Sequence, residues 1–215
     1  MFTESREAIR SARKERLSFL SAHVTRRVFG IAEARNQSQY DLKPRVYFAN
    51  HTSHLDFLLL WSSLPENVRK NTVPVAAADY WNESEIRKKI ADDLFGAVLI
   101  DRKMVTRKNN PIQAILNALN SGKSVIIFPE GGRGDGSSIS DFKCGLYYLA
   151  KKRPGLQFVP AYIHNASKAL PKGHAIPVPV ICSVNFGEPL ELLAGETKQE
   201  FVERAKNCLE LCKVA

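Results

Sequence analysis

Apolar and polar positions along the chain fall into two alternating rhythms. From residue 5 to 35, Ile9, Leu17, Leu20, Val24, Val28 and Ile31 recur at three- and four-residue steps. Arg6, Arg10, Arg13, Lys14, Arg26 and Arg27 fill other positions. That spacing predicts an amphipathic helix with a basic face. A polar loop comes next, over residues 36–43. After it, short apolar runs alternate with helical patterns. RVYFA (45–49), VPVAAA (73–78), AVLI (97–100), SVIIF (124–128), LQFVPAYI (156–163) and VPVICSVNF (178–186) read as strands. Residues 57–64, 83–94, 111–120, 141–152 and 197–213 read as helices. Pro65 closes the first of these, and Pro111 opens the third at its first turn. Strands alternating with helices predict a single α/β domain with a mostly parallel or mixed central sheet covered by helices. Pro160 within a strand pattern predicts an edge strand or a bulge.

Composition adds little until charge is counted. The chain has 215 residues, enough for one domain with a sizeable core. Its net charge is +9, which points to an anionic partner: nucleic acid, anionic lipid or a phosphorylated substrate. Residues 1–50 hold ten Lys/Arg against five acids. The first residues are too charged to contain the apolar core of a signal peptide, so none is expected. The run FLLLW falls far short of the roughly 20 residues that span a bilayer. Cys144, Cys182, Cys208 and Cys212 form no C-x-x-C pair and read as reduced thiols of a cytosolic protein.

The chemistry concentrates at strand ends. NHTSHLDF (50–57) sets His51, His54 and Asp56 close together directly after a strand. As a metal site, H-x-x-H-x-D lacks the i, i+4 spacing of a helical zinc pair, and no third ligand is marked. As an acid/base pair the requirements are fewer. His51 stands at the carboxyl end of a strand, where α/β sheets place their ligand crevices. Asp56, in the first turn of the next helix, is placed to reach back to one imidazole nitrogen. A histidine oriented that way is the usual general base near neutral pH. His54 is expected to pack or cap, and Ser53 is a rival nucleophile.

FPEGGRGDG (128–136) comes after another strand, with glycines that let backbone N–H groups approach an anion and Arg133 as a planar fork for phosphate. GAVLIDRK (96–103) sets Arg102 past a third strand. Two lookalikes fail. SGKS (121–124) ends like a phosphate-binding loop, but position 117 is Asn and the run precedes its strand. RGD (133–135) is too short to mean adhesion.

In their order and spacing these blocks resemble the glycerolipid acyltransferase family, of the 1-acyl-sn-glycerol-3-phosphate acyltransferase type. Its N-H-x-x-x-x-D motif is matched by Asn50, His51 and Asp56. Its G-x-x-(F/L)-x-x-R block is matched by Gly96, Leu99 and Arg102. The F-P-E-G-(T)-R block is matched by Phe128, Pro129, Glu130, Gly131 and Arg133, and the V-P pair by Val159 and Pro160. Lys143 and Gly145 fit a lysine and a glycine that come after the third block. The match runs from about residue 45 to 190. Gly132 departs from it, standing where the family most often has Thr, and the N-terminal hydrophobic anchor of many members is missing.

The resemblance implies transfer of a fatty acyl group from an acyl-CoA or acyl-carrier protein to the hydroxyl of a lysophosphatidate-like acceptor. It assigns His51 as general base and Asp56 as the group that fixes its tautomer. Arg102, Arg133 and, less closely, Lys143 would hold the acceptor's phosphate, with Glu130 and Gly131 shaping the loop. No metal, cofactor or nucleic acid is implied. The expected division is a basic N-terminal helix (1–40) and an acyltransferase domain (41–215). That helix would hold a cytoplasmic enzyme at the inner face of an anionic membrane. Two other readings stand beside this one: the same transfer onto glycerol 3-phosphate, an acylated amino acid or a sugar, and a basic lipid- or nucleic-acid-binding module without catalysis.

Overall fold

The computed structural model describes residues 17, 19–31, 43–78, 95–101, 110–171, 173, 174 and 176–214. The helix predicted over 83–94, the predicted boundary near residue 40, and Arg102 lie outside them.

Six strands form one mixed sheet: β1 (Val46–Ala49), β2 (Thr72–Ala77), β3 (Val98–Ile100), β4 (Ser124–Ile127), β5 (Phe158–His164) and β6 (Ser183–Phe186). Their spatial order is β3-β2-β4-β1-β5-β6. All neighbours are parallel except β5 and β6. β1 is therefore central, and every residue in it is buried. Its side chains alternate between the two faces, as a strand requires. Val46 and Phe48 join one core with Phe158, Leu146, Leu149 and Phe201, while Tyr47 and Ala49 join the other with Leu59, Trp61 and Ala169. The continuous apolar runs read from the sequence reflect burial on both faces.

Residues 19–29 are helical (α1). Among the described residues six more helices come after it: α2 (Asp56–Ser63), α3 (Glu66–Arg69), α4 (Pro111–Asn120), α5 (Gly145–Lys152), α6 (Ala166–Ala169) and α7 (Lys198–Leu211). Asn110 caps α4 by accepting the Ile112 N–H at 3.0 Å, with Pro111 at the first position. Thr197 and Glu200 close a capping box on α7.

Three expectations change. α1 ends at Phe29 rather than near 35. Gly30 takes φ 64°, and the Ile31 N–H returns to Arg26 C=O at 3.1 Å, a glycine-terminated helix end. On α1 the periodic Leu17, Leu20, Val24 and Val28 are exposed, and the face turned to the core is Ala22, Thr25 and Phe29. The strand expected over 178–186 forms only from Ser183, because Pro177 and Pro179 cannot donate to a ladder. Finally, β5 is interior, not an edge. Pro160 C=O accepts from Gly187 N–H at 3.0 Å, so its nitrogen also faces the β6 side, where β6 has already ended. The ladder resumes only at the Phe158–Leu190 bridge, so no bond is forfeited. α3 and α6 are single turns that periodicity did not signal.

α7 is docked by Phe201, which is fully buried with its ring 5.5 Å from that of Phe158. Phe201→Ala is expected to lower the unfolding free energy by about 3–5 kcal/mol in urea titrations. A loss below about 1 kcal/mol, the size of an ordinary surface change, would mean that α7 is not held by this ring.

Candidate active site

β1 ends in the middle of the sheet, and the turn beyond it is held from all sides. The Asn50 side chain continues the ladder after the backbone has left it. Its Nδ2–H donates to Ile163 C=O at 3.0 Å, and its Oδ1 accepts the Ile163 N–H at 2.8 Å. The chain can therefore turn away at His51 without orphaning β5.

Both backbone groups of His51 are then gripped by the 128–140 loop. The His51 N–H donates to Glu130 Oε1 at 2.6 Å, and its C=O accepts the Gly134 N–H at 2.8 Å. The second oxygen of Glu130 accepts the Ser140 N–H at 2.9 Å. One buried carboxylate thus ties the end of β1 to both ends of the loop after β4. Burial, and then the Glu130 charge, pushes the Tyr162 phenol above its ordinary value.

Asp56 is the first residue of α2 and fully buried. Its Oδ2 accepts the Thr52 N–H at 2.6 Å and the Ser53 N–H at 2.8 Å, and lies 2.8 Å from His51 Nδ1. An ionised carboxylate only accepts, so Nδ1 must carry the hydrogen, and Nε2 is left with its lone pair. The first turn of a helix also favours a negative charge at this position. The imidazole stacks on Phe128 with centroids 4.3 Å apart and planes 20° from parallel. The His51 side chain remains 24% exposed. A histidine held in one tautomer, fixed in plane and open at Nε2 can accept a proton from a hydroxyl.

Beside Phe128 a cavity of about 650 Å³ opens. Its walls are Val75, Ile100, Ile112, Ile115, Ile127, Leu146 and Leu149, and Pro129, Gly131 and Lys143 stand with Phe128 on its lining. A single charged residue among aliphatic walls suits an amphiphile. Gly131 has φ 73°, and a Cβ on it would come within 3.0 Å of Lys143 Cε. The positive φ is what calls for glycine there, since the flexible end of Lys143 could give way. Lys143 N–H donates to Pro129 C=O at 2.8 Å, which sets its exposed side chain next to the loop. Arg133 is half-buried in that loop.

Of the residues expected from the sequence, His51, Asp56 and Glu130 meet directly. Gly131, Arg133 and Lys143 lie on the loop and cavity beside them. His54 is exposed. Ser53 is a poor nucleophile here, since its buried hydroxyl donates to Leu170 C=O at 3.0 Å. Sequence reasoning assigned no role to Phe128, Asn50 or Ser140. The first two were inside quoted motifs, but a stack and a ladder-closing amide leave no pattern of their own. Ser140 acts through its backbone, which no residue type reveals. The α4 wall of the cavity was signalled only as the apolar face of a helix.

Comparison with known proteins bears on the whole arrangement. Residues 31–164 match the family model described as Acyltransferase. The chain is 26% identical over 168 residues to the chloroplastic 1-acyl-sn-glycerol-3-phosphate acyltransferase BAT2 of Brassica napus, covering 74% of this chain and 46% of that protein. It is 22% identical over 182 residues to the 1-acyl-sn-glycerol-3-phosphate acyltransferase of Haemophilus influenzae, covering 81% of this chain and 69% of that one. The chain thus spans less than half the length of the plant relative. In fold it resembles the crystal structure of the 1-acyl-sn-glycerophosphate (LPA) acyltransferase PlsC from Thermotoga maritima. That likeness has a TM-score of 0.71 at 16% identity and covers 97% of this chain and 82% of the other.

The grip of Glu130 on the His51 backbone is testable without any substrate. Glu130→Gln replaces one acceptor oxygen with an NH2 group, so one of the two backbone N–H donors then faces another donor. Chemical denaturation should show a loss of about 1–3 kcal/mol, the cost of a buried unsatisfied donor. An unchanged midpoint would show that the carboxylate is not what fastens the loop.

Proposed function

The chain belongs to the acyltransferase family, and from that premise we propose that it transfers a fatty acyl group from an acyl thioester to the free hydroxyl of a lysophosphatidate-like acceptor. The observation that carries this reading is the pairing of His51 Nδ1 with buried Asp56 Oδ2 at 2.8 Å, beside an apolar cavity with a lysine on its lining. His51 Nε2 takes the proton of the acceptor hydroxyl as the oxygen bonds to the thioester carbonyl carbon. The Asp56 charge stabilises the imidazolium that results. When the tetrahedral centre collapses, the C–S bond breaks and the imidazolium returns its proton to the leaving thiolate. No acyl-enzyme is needed, and the acyl chain lies in the cavity against Ile115, Leu146 and Leu149. Arg133, with Lys143 and Arg102, binds the acceptor's phosphate by charge-assisted hydrogen bonds. The donor is acyl-CoA or an acyl-carrier protein.

The proposed place of work is the surface of an anionic membrane on its cytoplasmic side. Among the described residues no helix is long and apolar enough to cross a bilayer. The exposed aliphatic stripe of α1, with exposed Arg27 beside it and an excess of Lys/Arg over acids in the first fifty residues, supports peripheral contact.

The direct experiment is to incubate the protein with an acyl thioester and a panel of acceptors: lysophosphatidate, glycerol 3-phosphate, an acylated amino acid and a sugar. Products are then identified by mass. Acylated lysophosphatidate is the expected product. His51→Ala should reduce turnover by about 10²–10⁴ while leaving the fold intact, and Asp56→Asn somewhat less. Near-normal rates from the purified His51 variant would remove the base from the mechanism. Arg133→Ala should raise the acceptor KM more than the donor KM, by about tenfold or more. A normal acceptor KM would favour a neutral acceptor. Sedimentation with anionic vesicles should weaken as salt rises, and equal binding to neutral vesicles would argue against the electrostatic contribution.

A further inference from the structure

Residues 176–181, between α6 and β6, turn their side chains and backbone in opposite directions. Ile176, Val178 and Ile181 are 82%, 53% and 77% exposed. Scattered exposed aliphatics are ordinary, but three within six residues are not. The backbone of the same stretch offers fewer donors than usual and is tied to the body of the protein. Pro177 and Pro179 have no N–H. The Val178 N–H donates to Ala169 C=O at 2.7 Å, and the Ile181 C=O accepts from Asn165 Nδ2–H at 3.0 Å. The next residue, Cys182, donates its N–H to Phe29 C=O at 2.8 Å. In water, proline stiffens such a loop, but the exposed aliphatic side chains gain nothing there. In a medium that offers no hydrogen bonds, both features are favourable.

The surroundings select the medium. Ile181 lies over Gly30, where an added Cβ would sit 3.4 Å from it, so the loop continues the exposed Leu20, Val24 and Val28 stripe of α1. Exposed Arg27, Lys168 and His174 stand close in the chain to these groups, on a protein of net charge +9. The loop is braced from beneath, with Cys182 buried and Val180 packed in the same core as Ala169. Through Leu170, whose C=O takes the Ser53 hydroxyl, its base also touches the turn that carries His51.

We infer that residues 176–181 are an aliphatic wedge that inserts into the headgroup and upper acyl layer of an anionic bilayer, on the face of the sheet opposite the cavity. The inference rests on the acyl-transfer reading only for the nature of the substrate held in that bilayer.

The test is co-sedimentation of the full chain with vesicles of mixed phosphatidylglycerol and phosphatidylcholine. Ile176→Asp combined with Ile181→Asp should weaken binding about tenfold or more. A charge-matched control, Leu193→Asp with Leu211→Asp, alters exposed aliphatics elsewhere and should bind nearly as the parent does. Ile176→Leu with Ile181→Leu should also retain binding. In case the aspartate pair unfolds, Ile176→Trp reports insertion alone, by a blue shift of added emission on vesicles. Binding by the aspartate pair equal to that of the parent, equal losses in pair and control, or no emission shift overturns the wedge. So does a parent that ignores vesicles but dimerises through these residues. The acyl-transfer reading fails separately: if no acceptor is acylated by the parent, loss of vesicle binding in the aspartate pair still upholds the wedge.

Discussion

A carboxylate with no exposure to water has to draw its donors from the protein, and Asp56 sets the local structure by that requirement through Oδ2. Its buried Oδ1 has no hydrogen-bond partner among the described residues. Burying an isolated charge would cost several kcal/mol even after relaxation. Here two backbone N–H groups and an imidazole converge on one oxygen, within 2.6–2.8 Å. Those donors come from three consecutive residues, so meeting the charge fixes the turn from His51 to Ser53 and the start of α2. The same carboxylate acts on the core behind it. Burial, and then the Asp56 charge, pushes the buried Cys182 thiol up to about 11, so it stays protonated at neutral pH.

The sheet order explains why the turn needs a second carboxylate. β1 lies between β4 and β5, so residues far apart in the chain meet at its carboxyl end. β5 is secured there by the Asn50 amide and β4 by Glu130. The two fastenings differ in kind for a physical reason. β5 continues past the end of β1 and offers ladder groups to an amide that both donates and accepts. β4 has already ended at Ile127, and what it presents is a loop without ladder groups. The two oxygens of a carboxylate bridge the gap, one taking the His51 N–H and the other the Ser140 N–H. The glycine requirement of that loop falls on Gly131 and Gly136, both at positive φ. Nothing lies within 4 Å of a Cβ built on Gly132, so the residue that departs from the family pattern stands in open space.

How legible this was in the sequence depends on what kind of interaction carried each feature. The strands were readable because burial on two faces leaves a continuous apolar run, and the long helices because burial on one face leaves a period. His51, Asp56 and Glu130 were readable because charged groups at successive strand ends demand a common edge. The inward face of α1 was not. The aliphatic residues of α1 have helical spacing, but spacing does not say which face meets the core when Ala22, Thr25 and Phe29 form a second stripe. The loop before β6 was read as strand because Val178, Val180 and Ile181 mimic one. The prolines that alternate with them carried the contrary signal.

The alternation of side chains along β1 also divides the space around the proposed chemistry. Val46 and Phe48 face the core to which Ile115, Leu146 and Leu149 belong, the same residues that wall the cavity. Tyr47 and Ala49 face the core that holds Ala169 and Cys182, on which the 176–181 loop is seated. Cavity and loop therefore lie on opposite faces of the sheet, and His51 stands at the edge where the faces meet. For a reaction between two amphiphiles this separation has a direct use. An acyl chain lodged on one face leaves the other free for contact with lipid. The reacting hydroxyl and carbonyl then need to come together only at the edge, within reach of Nε2. A single buried strand, ending where its neighbours are tied to it by Asn50 and Glu130, is enough to keep those two approaches apart and in register.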